Sequence, residues 1–419
     1  MWPFSSFSSL ARFCTLSLTL LCLSLAPSVG PSRVNAAISG VVAGATQQIP
    51  DPIPPCTLSG FSIDSTLNQT ILSGQTVRWH RVERRRDQPR VGYAVTTNSV
   101  SNEMHLVSYD ARNMSINRDV VIQAAGGADY GTTSVVGEVV GGQLYLILRV
   151  NFGRLGCNPV PANQCVSLSK YDSLGNKLGE TVVGSIPMQV VDDARTNGAS
   201  TLLVSYGDGV DRKLMSFSIP GGSLISVSGS VMSPGTLGQF ALNGDAGAQY
   251  IAYSNSARTV KRIALDSVTV TATGNFTYTF SNTTGSPVVV PGLALIGESI
   301  SFGGINADEN YMSLTGLANI GNTFPWNAAD GSAAPRSTFY DGVNGQLYSW
   351  RDSTGRIARL APLGGVVLER FDCGIPCVAS SLPTTDFVEP NGRLYIATGS
   401  ALQLTITRIK VCATGGPPA

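Results

Sequence analysis

Asn344-Gly-Gln-Leu-Tyr348 and Asn391-Gly-Arg-Leu-Tyr395 are two copies of one pattern. Each sets an Asn-Gly pair, which takes positive φ readily, directly before an apolar run, a strong short-range hairpin signal. The arrangement returns at Gly92-Tyr93-Ala-Val95, Gln143-Leu-Tyr145-Leu-Ile-Leu148, Thr201-Leu-Leu-Val204 and Gln249-Tyr250-Ile-Ala-Tyr253, and more weakly at Ser299-Ile300-Ser-Phe302. With Tyr93, Tyr145, Leu202, Tyr250, Ile300, Tyr348 and Tyr395 as anchors, the steps are 52, 57, 48, 50, 48 and 47 residues. The longest step holds Cys157 and Cys165, as a stapled insertion would.

Each unit continues alike. A second alternating run leads through a tight turn to a third: Val166–Tyr171 turns at Asp172–Asn176 into Leu178–Val183, and Arg356–Leu360 turns at Ala361–Gly365 into Val366–Phe371. A further strand precedes each anchor turn, as in Thr133–Val140 before Gly141-Gly142. Four strands in about 50 residues is the arithmetic of a propeller blade. The expected fold is all-β: a seven-bladed β-propeller of four-stranded antiparallel blades over residues 57–412, closed by a terminal disulfide. The periodicity is poorest between Asn275 and Pro335. The anchor tyrosines are expected to pack between blades.

The Asn-Gly-x-Leu-Tyr repeats resemble the strand starts of the β-propeller superfamily, in particular secreted propellers with YVTN- or quinoprotein-like blades. The resemblance is to an architecture and implies no residue roles. The chain lacks repeated Trp-Asp dipeptides, kelch double-glycine spacing and a series of Asp boxes; Ser349–Gly355 is a loose echo of one.

Composition agrees with short strands and tight turns. Of 419 residues 46 are glycine, and only 13% are charged, about half the usual share. A net charge of +1 offers no field for nucleic acid. The opening stretch reads as a cleaved signal peptide over residues 1–36: Arg12, the apolar run Phe13–Leu25, then Val34 and Ala36 before the cut. That run is too short to span a bilayer. A Pro-rich linker follows over 37–56, and 413–419 form a tail. The chain is therefore expected to be secreted, monomeric and without a membrane span.

The signal takes Cys14 and Cys22 with it, leaving six cysteines on an oxidising route. Six allow 15 pairings. The economical one joins Cys157 to Cys165, Cys373 to Cys377, and Cys56 to Cys412 across the ends of the domain. No second close cysteine pair or nearby histidine completes a four-ligand metal set beside Cys373–Cys377, so neither metal nor cofactor is expected.

Catalytic signatures are thin. His80 and His105 are the only histidines, and both read as packing residues in strands. Asp192-Asp193 and Asp308-Glu309 are adjacent pairs, which point to opposite strand faces and make no ready dyad. The charge run Arg78–Asp87 reads as a solvated turn, or as a site for an acidic glycan with Trp79 as stacking platform beside Arg84, Arg85 and Arg86, or as a polybasic cleavage site. Asn68, Asn113, Asn275 and Asn282 open N-glycosylation sequons. The expected function is a non-catalytic recognition module for an extracellular glycan or protein. The alternative is a carbohydrate-active hydrolase or lyase, with carboxylates meeting at the propeller axis.

Overall fold

The computed structural model describes residues 61–71, 74–83, 91–158, 164–188, 190–196, 200–227, 229, 238–242, 249–254, 259–265, 270–277, 283–284, 288–290, 293–300, 307–313, 318–326, 337–341, 346–351, 355–360, 367–377, 384–388, 393–400 and 402–411. All belong to the second of two compact units, Met1–Pro52 and Ile53–Ala419. The segments read as signal, linker and tail lie outside the described residues, as do Cys56 and Cys412.

Strands dominate, and the described residues contain no α-helix. Strand β1 (Ser62–Thr70) is followed by seven antiparallel groups. One sheet holds β2 (Thr76–Val82), β3 (Val91–Asn98), β4 (Glu103–Asp110) and β5 (Ser115–Gln123) in that order. The next holds β6 (Tyr130–Val140), β7 (Gln143–Val150), β8 (Gln164–Tyr171) and β9 (Lys177–Met188). Then come β10 (Val190–Thr196), β11 (Thr201–Gly207), β12 (Arg212–Ser218) and β13 (Leu224–Val227). A fourth sheet is β14 (Gly238–Leu242), β15 (Gln249–Ser254), β16 (Thr259–Leu265) and β17 (Val270–Thr277). The fifth has β18 (Thr283–Thr284) and β19 (Val288–Val290) both pairing β20 (Leu293–Ile300), then β21 (Ala307–Ser313) and β22 (Ala318–Trp326). The sixth is β23 (Ser337–Asp341), β24 (Gln346–Arg351), β25 (Arg356–Leu360) and β26 (Val367–Asp372). The last is β27 (Thr384–Val388), β28 (Arg393–Ser400) and β29 (Gln403–Lys410), with β1 completing it beside β29.

Two expectations change. The fifth sheet has five strands rather than four, because the chain between β17 and β20 pairs twice, as β18 and β19. The fifth anchor also shifts: Tyr93, Tyr145, Tyr348 and Tyr395 are each the third residue of a second strand, whereas Ile300 is the last residue of β20. Leu295 holds the equivalent place, in an apolar stretch with no Leu-Tyr to mark it.

The first strand of one sheet packs on the first strand of the next: β2 on β6, β6 on β10, β10 on β14, β14 on β19, β19 on β23, β23 on β27, and β27 on β2. A sheet covered on both faces must be apolar on both. Val91–Thr97 of β3 is buried throughout, and Leu144, Tyr145, Leu146, Ile147 and Leu148 of β7 form an unbroken buried run. Such runs read as continuous rather than alternating hydrophobicity.

The anchor tyrosines explain the repeat. Tyr93, Tyr145, Tyr348 and Tyr395 are all at most 1% exposed. Tyr93 Oη donates to Asp172 O (2.8 Å) and Gly142 O (3.1 Å), both in turns of the following sheet. Tyr395 Oη donates to Ala111 O (3.1 Å) in the β4–β5 turn. The hydroxyls of Tyr93 and Tyr395 thus find carbonyls on the neighbouring sheet, which satisfies these phenols and fixes the spacing of the sheets.

The N-terminal strand is held in the C-terminal sheet by charge as well as by its ladder. β1 pairs with β29 from Ser62↔Lys410 to Thr70↔Gln403. Asp64 Oδ2 accepts from Arg393 Nε (2.8 Å) and forms an ion pair with Arg408 Nε (2.7 Å). Burial opposes ionisation of Asp64, but the two guanidiniums outweigh it and hold its carboxyl below the usual carboxylate range. Arg408 continues to Ala111 O (2.9 Å) and Arg112 O (2.5 Å).

Candidate functional site

In an antiparallel four-strand meander, the second-to-third-strand turns lie at one end, with the connections that leave each sheet. In the described residues that end is built of turns that push an apolar side chain outward. Asn98 Oδ1 accepts from the N–H groups of Val100 (2.9 Å) and Ser101 (3.1 Å), an Asx turn between β3 and β4. Val100 at its tip is 92% exposed. The β11–β12 turn repeats the device: Asp208 Oδ1 accepts from Val210 (2.9 Å) and Asp211 (2.7 Å), and Val210 is exposed.

Disulfides fix two larger loops at the same end. Cys157–Cys165 (Cα–Cα 5.5 Å) clasps the loop from β7 to β8. Within it Cys157 N donates to Arg154 O (2.7 Å) and Gly153 N to Cys157 O (2.9 Å). Leu155 takes φ 47 there, and the Phe152 and Leu155 side chains are exposed. Cys373–Cys377 (Cα–Cα 5.7 Å) clasps the connection leaving β26, which makes a single 3-10 turn over Ile375–Cys377. Its carbonyls are taken up: Trp350 Nε1 donates to Cys377 O (3.1 Å), and Thr407 (3.1 Å) and Thr398 (3.4 Å) donate to Pro376 O. Asp372 Oδ1 accepts from Gly374 N (3.0 Å). Gly355, at φ 68 in the β24–β25 turn, lies so close that a Cβ would sit 2.3 Å from Gly374 O, so only glycine fits. On this braced turn Ile375 is 89% exposed.

These turns are joined. The Ile375 turn is hydrogen-bonded to β28 and β29 through Thr398 and Thr407. Leu402, exposed between those strands, accepts at its carbonyl from Ile71 N (2.9 Å). Gly74 lies against the Asn98 amide. Ser101 O accepts from Gly126 N (2.6 Å) in the β5–β6 connection, and Asp129 O from Asn151 N (2.8 Å) at the start of the stapled loop. Ile375, Leu402, Val100, Phe152 and Leu155 therefore lie along one connected arc over four successive sheets. Exposed apolar side chains grouped in this way mark interaction surfaces, whereas isolated ones do not.

The residues singled out in the sequence lie elsewhere. Trp79 is 6% exposed and packs in the core against Gly137 of β6, so its ring faces are occupied rather than offered for stacking. A bulge at Arg78 explains this. It sets Val77 and Trp79 on opposite faces of β2, Val77 toward the last sheet and Trp79 toward the β6–β9 sheet. Arg84, Arg85 and Arg86 lie outside the described residues. His80 is buried with Nε2 2.8 Å from Tyr109 Oη. His105 lies between Asp119 (Nδ1–Oδ1 2.9 Å) and Glu103 (Nε2–Oε1 3.2 Å). The bond to Asp119 raises its pKa; burial works against the rise and Glu103 adds to it. Asn113 is exposed in the β4–β5 turn, and Asn68 is exposed on β1, accepting from Thr405 Oγ1 (3.0 Å). Asn275 lies in β17 opposite Lys261, and Asn282 is outside the described residues. Asp192 and Asp193 fall in β10, Asp308 and Glu309 in β21. Among the described residues no group of three or more His, Cys, Asp or Glu is arranged to hold a metal ion, and no helix is long and apolar enough to cross a membrane.

No protein-family model matches the chain, and no curated protein matches it. Solved structures do. The β-propeller domain of Cps50 (Swd1) from Myceliophteria thermophila aligns with a TM-score of 0.50 at 9% identity, over 83% of this chain and 99% of that one. The WD40 domain of Toxoplasma gondii coronin aligns with a TM-score of 0.51 at 7% identity, over 87% and 90%. A functionally unknown protein from Desulfotomaculum acetoxidans aligns with a TM-score of 0.50 at 11% identity, over 75% and 91%. At such identities the likeness is one of fold alone, and with the four-stranded antiparallel sheets it identifies the fold as a β-propeller.

Proposed function

We propose that this chain is a secreted, non-catalytic recognition module that takes an extracellular glycan or protein at the arc of apolar turns. The observation that carries the reading is Ile375: an aliphatic side chain almost wholly exposed on a turn held by a disulfide and three side-chain hydrogen bonds. Exposing such a side chain gains the free protein nothing, and fixing it beforehand lowers the ordering cost of binding. Secretion rests on the signal pattern of residues 1–36. The scaffold in this reading is one seven-bladed ring. Support comes from β2 packing on both β6 and β27, and from β1 sharing a sheet with β29. A Cys56–Cys412 bond would clasp the same junction covalently.

The test is a binding screen of the secreted chain on a glycan array and a peptide library, with each hit followed by mass spectrometry for turnover. N-terminal sequencing should begin at Ala37. Binding without product is the expected result. Product formation would make the chain an enzyme and turn attention to carboxylates at the ring axis.

A further inference from the structure

We infer that the partner taken by this arc is a protein, with Ile375 as its anchoring contact; the inference rests on the recognition reading above and narrows it. Several polar groups along the arc are already committed to holding the turns. Asn98 Oδ1 serves Val100 and Ser101, Asn151 Nδ2 donates to Ala128 O (2.8 Å), and Pro376 O and Cys377 O accept from Thr398, Thr407 and Trp350. Sugar recognition uses convergent polar groups to fix hydroxyls, and aromatic faces to stack on. The arc instead offers Val100, Leu155, Ile375 and Leu402, with Phe152 as its aromatic member.

Charge points the same way. Residues 99–102, 124–128 and 374–376 contain no ionisable side chain, and Arg154 is the only charged residue in 151–157. A surface that seats on lipid couples its apolar tips to several lysines and arginines, which these segments lack. Apolar contact with charge depleted at the centre is the composition of a protein–protein interface core. The complementary partner surface is therefore an uncharged, apolar protein segment. Ile375 is the strongest candidate for its anchor, being the most rigidly braced of the exposed tips.

The test pans the secreted, biotinylated chain against a random-peptide phage library, then measures the enriched peptides by fluorescence polarisation. The expected peptides are rich in aliphatic and aromatic residues. Ile375→Asp should weaken them roughly 30-fold, the scale of an interface hot spot, and Ile375→Ser at least several-fold. Leu174→Asp, at an equally aliphatic exposed position in the β8–β9 turn at the opposite end, should leave them unchanged. Both positions are exposed, so melting temperatures of all three variants should match the parent. Absence of enrichment, or affinity indifferent to Ile375→Asp, overturns the inference. Glycan binding, or sedimentation with phosphatidylcholine–phosphatidylserine vesicles, that is lost in Ile375→Asp would also overturn it, while leaving recognition at the arc intact. Peptide binding that maps to the opposite end would instead remove the arc reading itself.

Discussion

Replacing Asp64 by alanine should loosen the junction between the N-terminal strand and the last sheet. A charge-assisted hydrogen bond from Arg393 Nε (2.8 Å) and an ion pair with Arg408 Nε (2.7 Å) end on its Oδ2. A hydrogen bond to a charged group contributes about 1.5–3 kcal/mol when shielded from water, and the ion pair adds to it. The Asp64 side chain is 25% exposed, while those of Arg408 and Arg393 are 8% and 13% exposed, so solvent screening removes a large part of that. Arg408 also keeps its bonds to the carbonyls of Ala111 and Arg112. The net loss is about 2 kcal/mol. With an unfolding entropy near 2.1 cal/mol/K per residue, a β domain of this size should melt about 3 °C lower. Differential scanning calorimetry of parent and variant measures it directly. The difference should also depend on acid. The native carboxyl titrates below the ordinary aspartate value, so the contribution is present above that ordinary value and fades as pH falls through the native one. Gln69→Ala on the same strand supplies a control, since its contact with Asp119 is long (3.5 Å) and exposed and should change stability by less than about 0.5 kcal/mol. If Asp64→Ala melts like the parent at neutral pH, the ion cluster does not hold the ends together.

Other consequences are open to test. Tyr93→Phe removes the donor shared by Asp172 O and Gly142 O and should cost about 1–2 kcal/mol by denaturant titration, while the exposed Tyr-free turn change Asn113→Ala should cost under about 0.5 kcal/mol. His105→Gln should destabilise the chain at low pH and converge with the parent at high pH. Because the native pKa is raised above 6.5 by Asp119, and further by Glu103, the stabilisation is complete below that value and lost as pH rises through the native one. Removing both ends of the proposed clasp, Cys56→Ser with Cys412→Ser, should cost about 3 kcal/mol, measured under non-reducing conditions; an unchanged melt would mean that no such bond closes the fold.

The fold was legible because Tyr93, Tyr145, Tyr348 and Tyr395, at one fixed place in four of the units, are buried, and that packing leaves a periodic mark. It failed at Ile300, where no tyrosine or Asn-Gly turn marks the phase and a duplicated first strand alters the count. Cys157–Cys165 and Cys373–Cys377 were legible from proximity alone. The candidate site was not. Val100 and Ile375 look in sequence like any strand or loop aliphatic; only antiparallel strand order puts their turns at one end, and only hydrogen bonds such as Ser101 O to Gly126 N join them. Trp79 misled because a single bulge residue, Arg78, reverses the face on which the indole falls.

The central claim is that recognition takes place at the arc of apolar turns. Hydrogen–deuterium exchange of the secreted chain, with and without its strongest screened binder, tests it most directly. Protection should rise in residues 98–102, 151–157 and 373–377 and in the β28–β29 turn. Protection confined to the turns at 110–114 and 172–176, at the opposite end of the sheets, would contradict it.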